Sequence, residues 1–132
     1  MANVARLEDE NAIRQLIAGV VYILDAQEYD RLGEAFAEDM SFNNPGRMSA
    51  SSLSEFADRL RALPSPAISH FLTNVLVEVL SDVNATSVCK ALVVRADGSI
   101  TASEYRDRLT KTENGWRISE RVITPLGGTK QS

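Results

Sequence analysis

The chain holds one histidine, His70, and one cysteine, Cys89. Proton transfer or nucleophilic attack near neutral pH therefore rests on very few side chains. His70 stands in Ser-His-Phe-Leu-Thr-Asn, a stretch of strand character. A period of two places His70, Leu72, Asn74 and Leu76 on one face. Two polar groups set between leucines suit the wall of a mostly apolar pocket. They equally suit a buried, hydrogen-bonded histidine with a structural asparagine. Asp25 closes an amphipathic helix, roughly 100° from the centre of its apolar stripe. An acid there opposes the helix dipole without an evident local gain, and an exposed acid before a loop is the plain alternative. Tyr105 and Asp107 share a strand face with Leu109. If the Asn114-Gly115 turn sets the register without a bulge, Asp107 opposes Val122 and Arg108 opposes Arg121. Tyr105, Asp107, Ile118 and Glu120 then line one face, and Arg106, Arg108 and Arg121 the other. Cys89 reads as a buried small hydrophobe rather than a nucleophile. Metal-ligand spacing, a glycine-rich phosphate loop and a nucleophile elbow are all lacking, so no metal or cofactor is expected.

The elements that must carry these residues can be read from periodicity. Ile13, Leu16, Ile17, Val20 and Leu24 recur at helical spacing, with Glu8, Asp9 and Glu10 near the start. A second short helix is expected from about Tyr29 to Ala37. Ser41 to Gly46 reads as a strand stub ending in Asn-Asn-Pro-Gly turn chemistry. A third helix fits Ser52 to Leu63, stopped by Pro64 and Pro66. Four long strands follow: Ile68 to Leu80, Thr86 to Ala96, Ile100 to Thr112 and Trp116 to Thr124. Asp97-Gly98 and Asn114-Gly115 are expected as tight hairpin turns with positive φ at both central residues. Phe71, Val75, Val77, Trp116, Ile118, Ile17, Val20, Leu24 and Phe56 form the expected core. The final residues, Gly127 to Ser132, read as a frayed tail.

With 132 residues, one domain spanning 1–132 is expected. The net charge of −4 and the 6% aromatic content argue against nucleic acid or an anionic membrane as partner. No run approaches about 18 apolar residues, and the start lacks the apolar stretch of a secretory signal. A lone cysteine fits a reducing compartment, so a cytoplasmic location is expected. Apolar residues on both faces of the long strands imply that both are covered. Helices cover one, and a second subunit is expected on the other.

The order of the pieces resembles the SnoaL-like families of the nuclear transport factor 2-like superfamily. The resemblance rests on Asn-Ala-Ile-Arg-Gln-Leu-Ile, Leu-Asp-Ala-Gln-Glu-Tyr-Asp-Arg-Leu, Phe-Ala-Glu-Asp and His-Phe-Leu-Thr-Asn. It extends to Glu-Tyr-Arg-Asp-Arg-Leu-Thr-Lys-Thr-Glu-Asn-Gly-Trp-Arg-Ile, and covers about Leu7 to Ile123. The pattern is similar to hexachlorocyclohexane dehydrochlorinase, scytalone dehydratase and bile acid dehydratase. The resemblance implies an α+β cone-shaped barrel, with three N-terminal helices packed in a strongly curved, mainly antiparallel sheet. It implies a cofactor-free pocket in which His70 is the general base and Asp25 orients it, with Arg121 nearby. Asn74, Tyr22, Tyr105, Asp107, Arg121, Val20 and Leu72 are the expected substrate-binding positions. Val20 stands where those enzymes carry a lysine or a tyrosine. The implied activity is that of a lyase, isomerase or cyclase on a small apolar, polyketide-like or terpenoid molecule. The implied assembly is a homo-oligomer, trimer or dimer. The alternative is a non-catalytic ligand-binding or assembly module of the same fold.

Overall fold

The structure, a computed structural model, describes residues 2–127. The expected frayed tail falls largely on residues 128–132, which lie outside the described residues. Helix α1 (Ala2–Asp25) buries Ile13, Ile17, Val20 and Ile23, with Leu16, Val21 and Leu24 at the edges of the stripe. It starts at Ala2, so Glu8, Asp9 and Glu10 lie beyond the first turn, where the dipole no longer selects them. Asp9 has a tertiary role instead. Its Oδ1 accepts hydrogen bonds from Trp116 Nε1 at 3.0 Å and Lys111 Nζ at 3.1 Å. Those bonds, the indole's foremost, hold its carboxyl below the usual range.

The end of α1 is closed by a Schellman motif. Gln27 N–H donates to Leu24 O and Glu28 N–H to Ile23 O, both at 3.0 Å. The motif needs a left-handed residue, and Gln27 supplies it at φ 56°. Residues Tyr29–Glu34 form a 3-10 helix rather than the α-helix expected to reach Ala37. Its three-residue turn sets Arg31 between Glu28 and Glu34, with which it pairs at 2.8 and 3.0 Å.

The chain then enters β1 (Phe36–Asn44), longer than the expected stub. Pro45 and Gly46 form a turn closed by Arg47 N–H to Asn44 O at 2.9 Å, with Gly46 at φ 78°. Proline then glycine with positive φ is a type II turn. It leads into β2 (Met48–Ala50), a strand too short for periodicity to reveal. Helix α2 (Leu53–Arg61) opens on Ser52, whose Oγ accepts from Glu55 N–H at 3.1 Å. Its Phe56 packs between Phe36, at 5.3 Å edge-to-face, and Phe42, at 4.5 Å stacked.

Strands β3 (Ser69–Val79), β4 (Asn84–Val94), β5 (Ile100–Thr112) and β6 (Gly115–Pro125) complete a six-stranded sheet. Its order is β2-β1-β6-β5-β4-β3, and only the β1–β6 pair is parallel. The fold is α+β as expected, with the helices packed against a curved sheet. The sheet stays open rather than closing into a barrel, and two strands precede α2.

Two bulges decide which side chains face inward. In β3 the pairing slips between Thr73 and Leu76, and Asn74 adopts φ 55°. His70 and Leu72 face in before the bulge, and Val75, Val77 and Val79 after it. Phe71 is therefore on the outer side, 53% exposed rather than buried. Asn74 also turns outward and accepts from Thr73 Oγ1 at 2.7 Å.

In β6, Ile118 pairs with Leu109 but Glu120 pairs with Arg108, leaving Ser119 as the extra residue. Its hydroxyl donates to Arg108 O at 3.2 Å. Both hairpin turns have positive φ at glycine alone, Gly98 and Gly115, and not at Asp97 or Asn114. These are turns in which glycine makes the bulge, so the β5–β6 register begins two positions from the one expected. The Ser119 bulge then changes parity, and Asp107 opposes Arg121 instead of Val122.

Trp116, 4% exposed, seals α1 against the β5–β6 hairpin. Trp116→Ala should lower the unfolding free energy by about 3–5 kcal/mol in urea titrations. A loss below about 1 kcal/mol would contradict this packing. Gln27→Gly should raise stability by about 0.5–1 kcal/mol, because glycine adopts the left-handed conformation without the Cβ penalty.

Candidate functional site

Between α2 and the inner face of the sheet lies a cavity of about 250 Å³. Phe42, Phe56, Leu60, Val93 and Ile123 give it apolar walls. His70, Tyr105 and Arg121 bring polar groups to it from β3, β5 and β6. Asp25 reaches His70 from the end of α1. Its Oδ2 accepts the His70 backbone N–H at 3.1 Å, and its Oδ1 lies 2.6 Å from Nδ1. A carboxylate only accepts, so Nδ1 carries a proton, and in the neutral ring Nε2 is then the acceptor. Nε2 makes no protein hydrogen bond among the described residues. The His70 and Asp25 side chains are 16% and 24% exposed.

Arg121 and Asp107 form a second pair. Nε and Nη2 each donate at 2.8 Å to Oδ1 and Oδ2, and the side chains are 2% and 1% exposed. Burial opposes the charge of Arg121, but Asp107 outweighs it, and the guanidinium is held more firmly protonated than usual. Its carbon lies 4.8 Å from the Tyr105 ring and 5.6 Å from the Phe36 ring. Nη1 is left without a protein partner among the described residues, on a side chain that lines the cavity. Burial pushes the Tyr105 phenol up, so it stays a donor at neutral pH. Burial also pushes the Cys89 thiol up to about 11, which keeps it an unreactive thiol.

The cavity thus gathers His70, Tyr105 and Arg121 of the expected residues, with Asp25 behind the first and Asp107 behind the last. The others lie elsewhere. Asn74 faces out because of the β3 bulge. Tyr22 is 76% exposed, on the side of α1 away from its stripe. Val20 is fully buried under α1, and Leu72 packs against the small cluster around Cys89 and Tyr105. Neither lines the cavity. Tyr29, Asn44, Arg47 and Arg95 line it and were not anticipated. For Arg95 a signal existed, since it continues the inward phase of Ala91 and Val93 past the end of β4. No group of three potential metal ligands occurs among the described residues, and no helix there is long and apolar enough to cross a membrane.

The buried pair makes a stability prediction. Asp107→Asn strands a buried guanidinium and should cost about 3–5 kcal/mol in chemical denaturation. Asp107→Leu with Arg121→Met removes both charges and should recover most of that loss. A single variant as stable as wild type would contradict the buried geometry.

With the geometry in place, comparison with known proteins gives a consistent picture. A Novosphingobium aromaticivorans protein described as NTF2-like with a cystatin-like fold superposes with TM-score 0.83 and 26% identity, over 97% of this chain and 88% of that one. A candidate scytalone dehydratase from the same organism gives TM-score 0.83 at 18% identity, over 96% and 89% of the two chains. A type 2 hexachlorocyclohexane dehydrochlorinase gives 0.77 at 19% identity, over 98% and 97%. The likeness to the last two is one of fold. No curated protein matches the chain. The SnoaL-like domain model, however, matches residues 5–122, which take in most of α1, both paired sites and every residue lining the main cavity except Ile123, and the chain belongs to that family.

Proposed function

We propose that the protein is a cofactor-free lyase, isomerase or cyclase in which His70 is the general base and Asp25 its positioning residue. The observation that carries this reading is the 2.6 Å contact of Nδ1 with Asp25, which leaves Nε2 free on a residue lining an apolar cavity. A neutral imidazole there can take a proton from carbon beside a carbonyl or a leaving group. Asp25 fixes the tautomer and stabilises the imidazolium that forms. Arg121 Nη1 and the Tyr105 hydroxyl are the donors suited to the negative charge that develops on an oxygen or a departing group. Water exclusion by Phe42, Phe56 and Ile123 strengthens these interactions. The fold relatives described as a dehydratase and a dehydrochlorinase support an elimination, and isomerisation or ring closure uses the same first step. A polyketide-like or terpenoid substrate fits the apolar walls. Phe71, Leu76 and Leu92, exposed on the outer sheet face, support a homo-oligomer, trimer or dimer. The unpaired Cys89 supports a cytoplasmic setting.

The test is exchange of acidic C–H protons for deuterium, followed by mass spectrometry over a panel of cyclic ketones and polyketide-like compounds. His70→Ala should slow exchange about 10²–10⁴-fold. Asp25→Asn should keep the fold and cost up to ~10⁴-fold, through the wrong tautomer. The double variant should be no worse than the poorer single one, because the two act as a unit. Exchange in His70→Ala within a few-fold of wild type would leave the cavity as a binding site only.

A further inference from the structure

A second cavity of about 60 Å³ adjoins the first and shares Asn44, Arg47, Val93, Arg95, Tyr105 and Ile123 with it. It adds the hydroxyl-bearing Thr101 and Ser103 on β5. Among the described residues no aspartate or glutamate lines either cavity. That is unusual in a chain of net charge −4, where most other arginines pair with carboxylates.

Both arginines are placed by defined local structure. Arg47 follows the type II turn between β1 and β2 and makes no ion pair among the described residues. Arg95 leaves β4, and its Nη1 donates to Thr101 Oγ1 at 3.1 Å, which holds the guanidinium over the cavity rather than in solvent. Asp97, two residues on, accepts from Ser99 N–H at 2.8 Å; the charge of Arg95 acts on it, but the two form no ion pair within 4 Å. The rim thus gathers two guanidinium groups, an amide and three hydroxyls, with no carboxylate in ion-pair contact with either guanidinium among the described residues. At the inner end the charge of Arg121 is already matched by Asp107.

We propose that the rim formed by Arg47 and Arg95 binds an oxyanion, a carboxylate or phosphate, at the solvent end of an otherwise apolar ligand. The substrate class is then an amphipathic acid. Its apolar body lies against Phe42, Phe56 and Ile123, and its charged end is held at the mouth by charge-assisted hydrogen bonds. This rests on the reading of the main cavity as the substrate site. Its own failure is separable, because it concerns the preference for charge and not proton transfer.

Titration calorimetry on the full chain tests it with three probes that share one apolar body: 2-naphthylacetic acid, 2-naphthaleneethanol and 2-naphthyl phosphate. At low ionic strength an anionic probe should bind at least about tenfold more tightly than the alcohol. The advantage should shrink in about 1 M salt. Arg47→Gln with Arg95→Gln should abolish the preference while the alcohol still binds, and His70→Asn should retain it. Tighter binding of the phosphate than of the acid assigns the rim to a phosphate ester, and the reverse to a carboxylate. Equal binding of acid, phosphate and alcohol, no binding by any of them, or a preference that survives the double arginine variant would overturn the proposal. Equal binding together with exchange that depends on His70 would overturn it alone and leave the base in place.

Discussion

One carboxylate joins the end of the longest helix to the start of the strand that carries the only histidine. Asp25 uses one oxygen on the His70 backbone N–H and the other on the ring. The first contact fixes where β3 begins relative to α1, and the second fixes how the imidazole is turned. Everything placed on α1 therefore bears on the ring. The Schellman closure at Gln27 stops the helix where Asp25 can reach across. Asp9, two turns past the start of α1, ties the same helix to the far hairpin through Trp116 and Lys111. A helix held at both ends is a rigid support, and a site built on such a support keeps its geometry.

The second constraint is electrostatic. A guanidinium as buried as Arg121 is tolerable only with its partner and good geometry, since desolvation alone would cost several kcal/mol. Asp107 meets that need with two bonds of 2.8 Å, and Tyr105 and Phe36 cover the planar group. The pair leaves one donor edge beside the cavity and no net charge there. The rim differs, because neither Arg47 nor Arg95 forms an ion pair among the described residues. The cavity is thus polar at two points, apolar between them, and positive only toward solvent.

Much of this frame was legible in the sequence. The helical stripe from Ile13 to Leu24 is strong, and Asp25 at its end is conspicuous because nothing local rewards an acid there. The four long strands stand out by composition, and their order carries the family pattern. The bulges at Asn74 and Ser119 were not legible. Each inserts one residue into an alternating pattern, and neither serine nor asparagine within a strand announces that. The cost was a wrong face for Phe71, Asn74 and Arg121. The segment Tyr29–Glu34 reads as an α-helix because Leu32, Ala35 and Phe36 mimic a helical stripe, though Phe36 already belongs to β1. The rim arginines were missed for a different reason: an arginine after a turn or at a strand end reads as a solvated side chain. The inward phase of β4 points to Arg95, but only the fold brings Arg47 to the same mouth.

The central claim is that His70 presents a basic Nε2 to the cavity because Asp25 holds the proton on Nδ1. Nitrogen-15 NMR of the histidine ring in the untagged chain measures this directly, and a single histidine removes any question of assignment. The account predicts the Nδ1–H tautomer at neutral pH, lost in Asp25→Asn. A ring that carries its proton on Nε2 would contradict it.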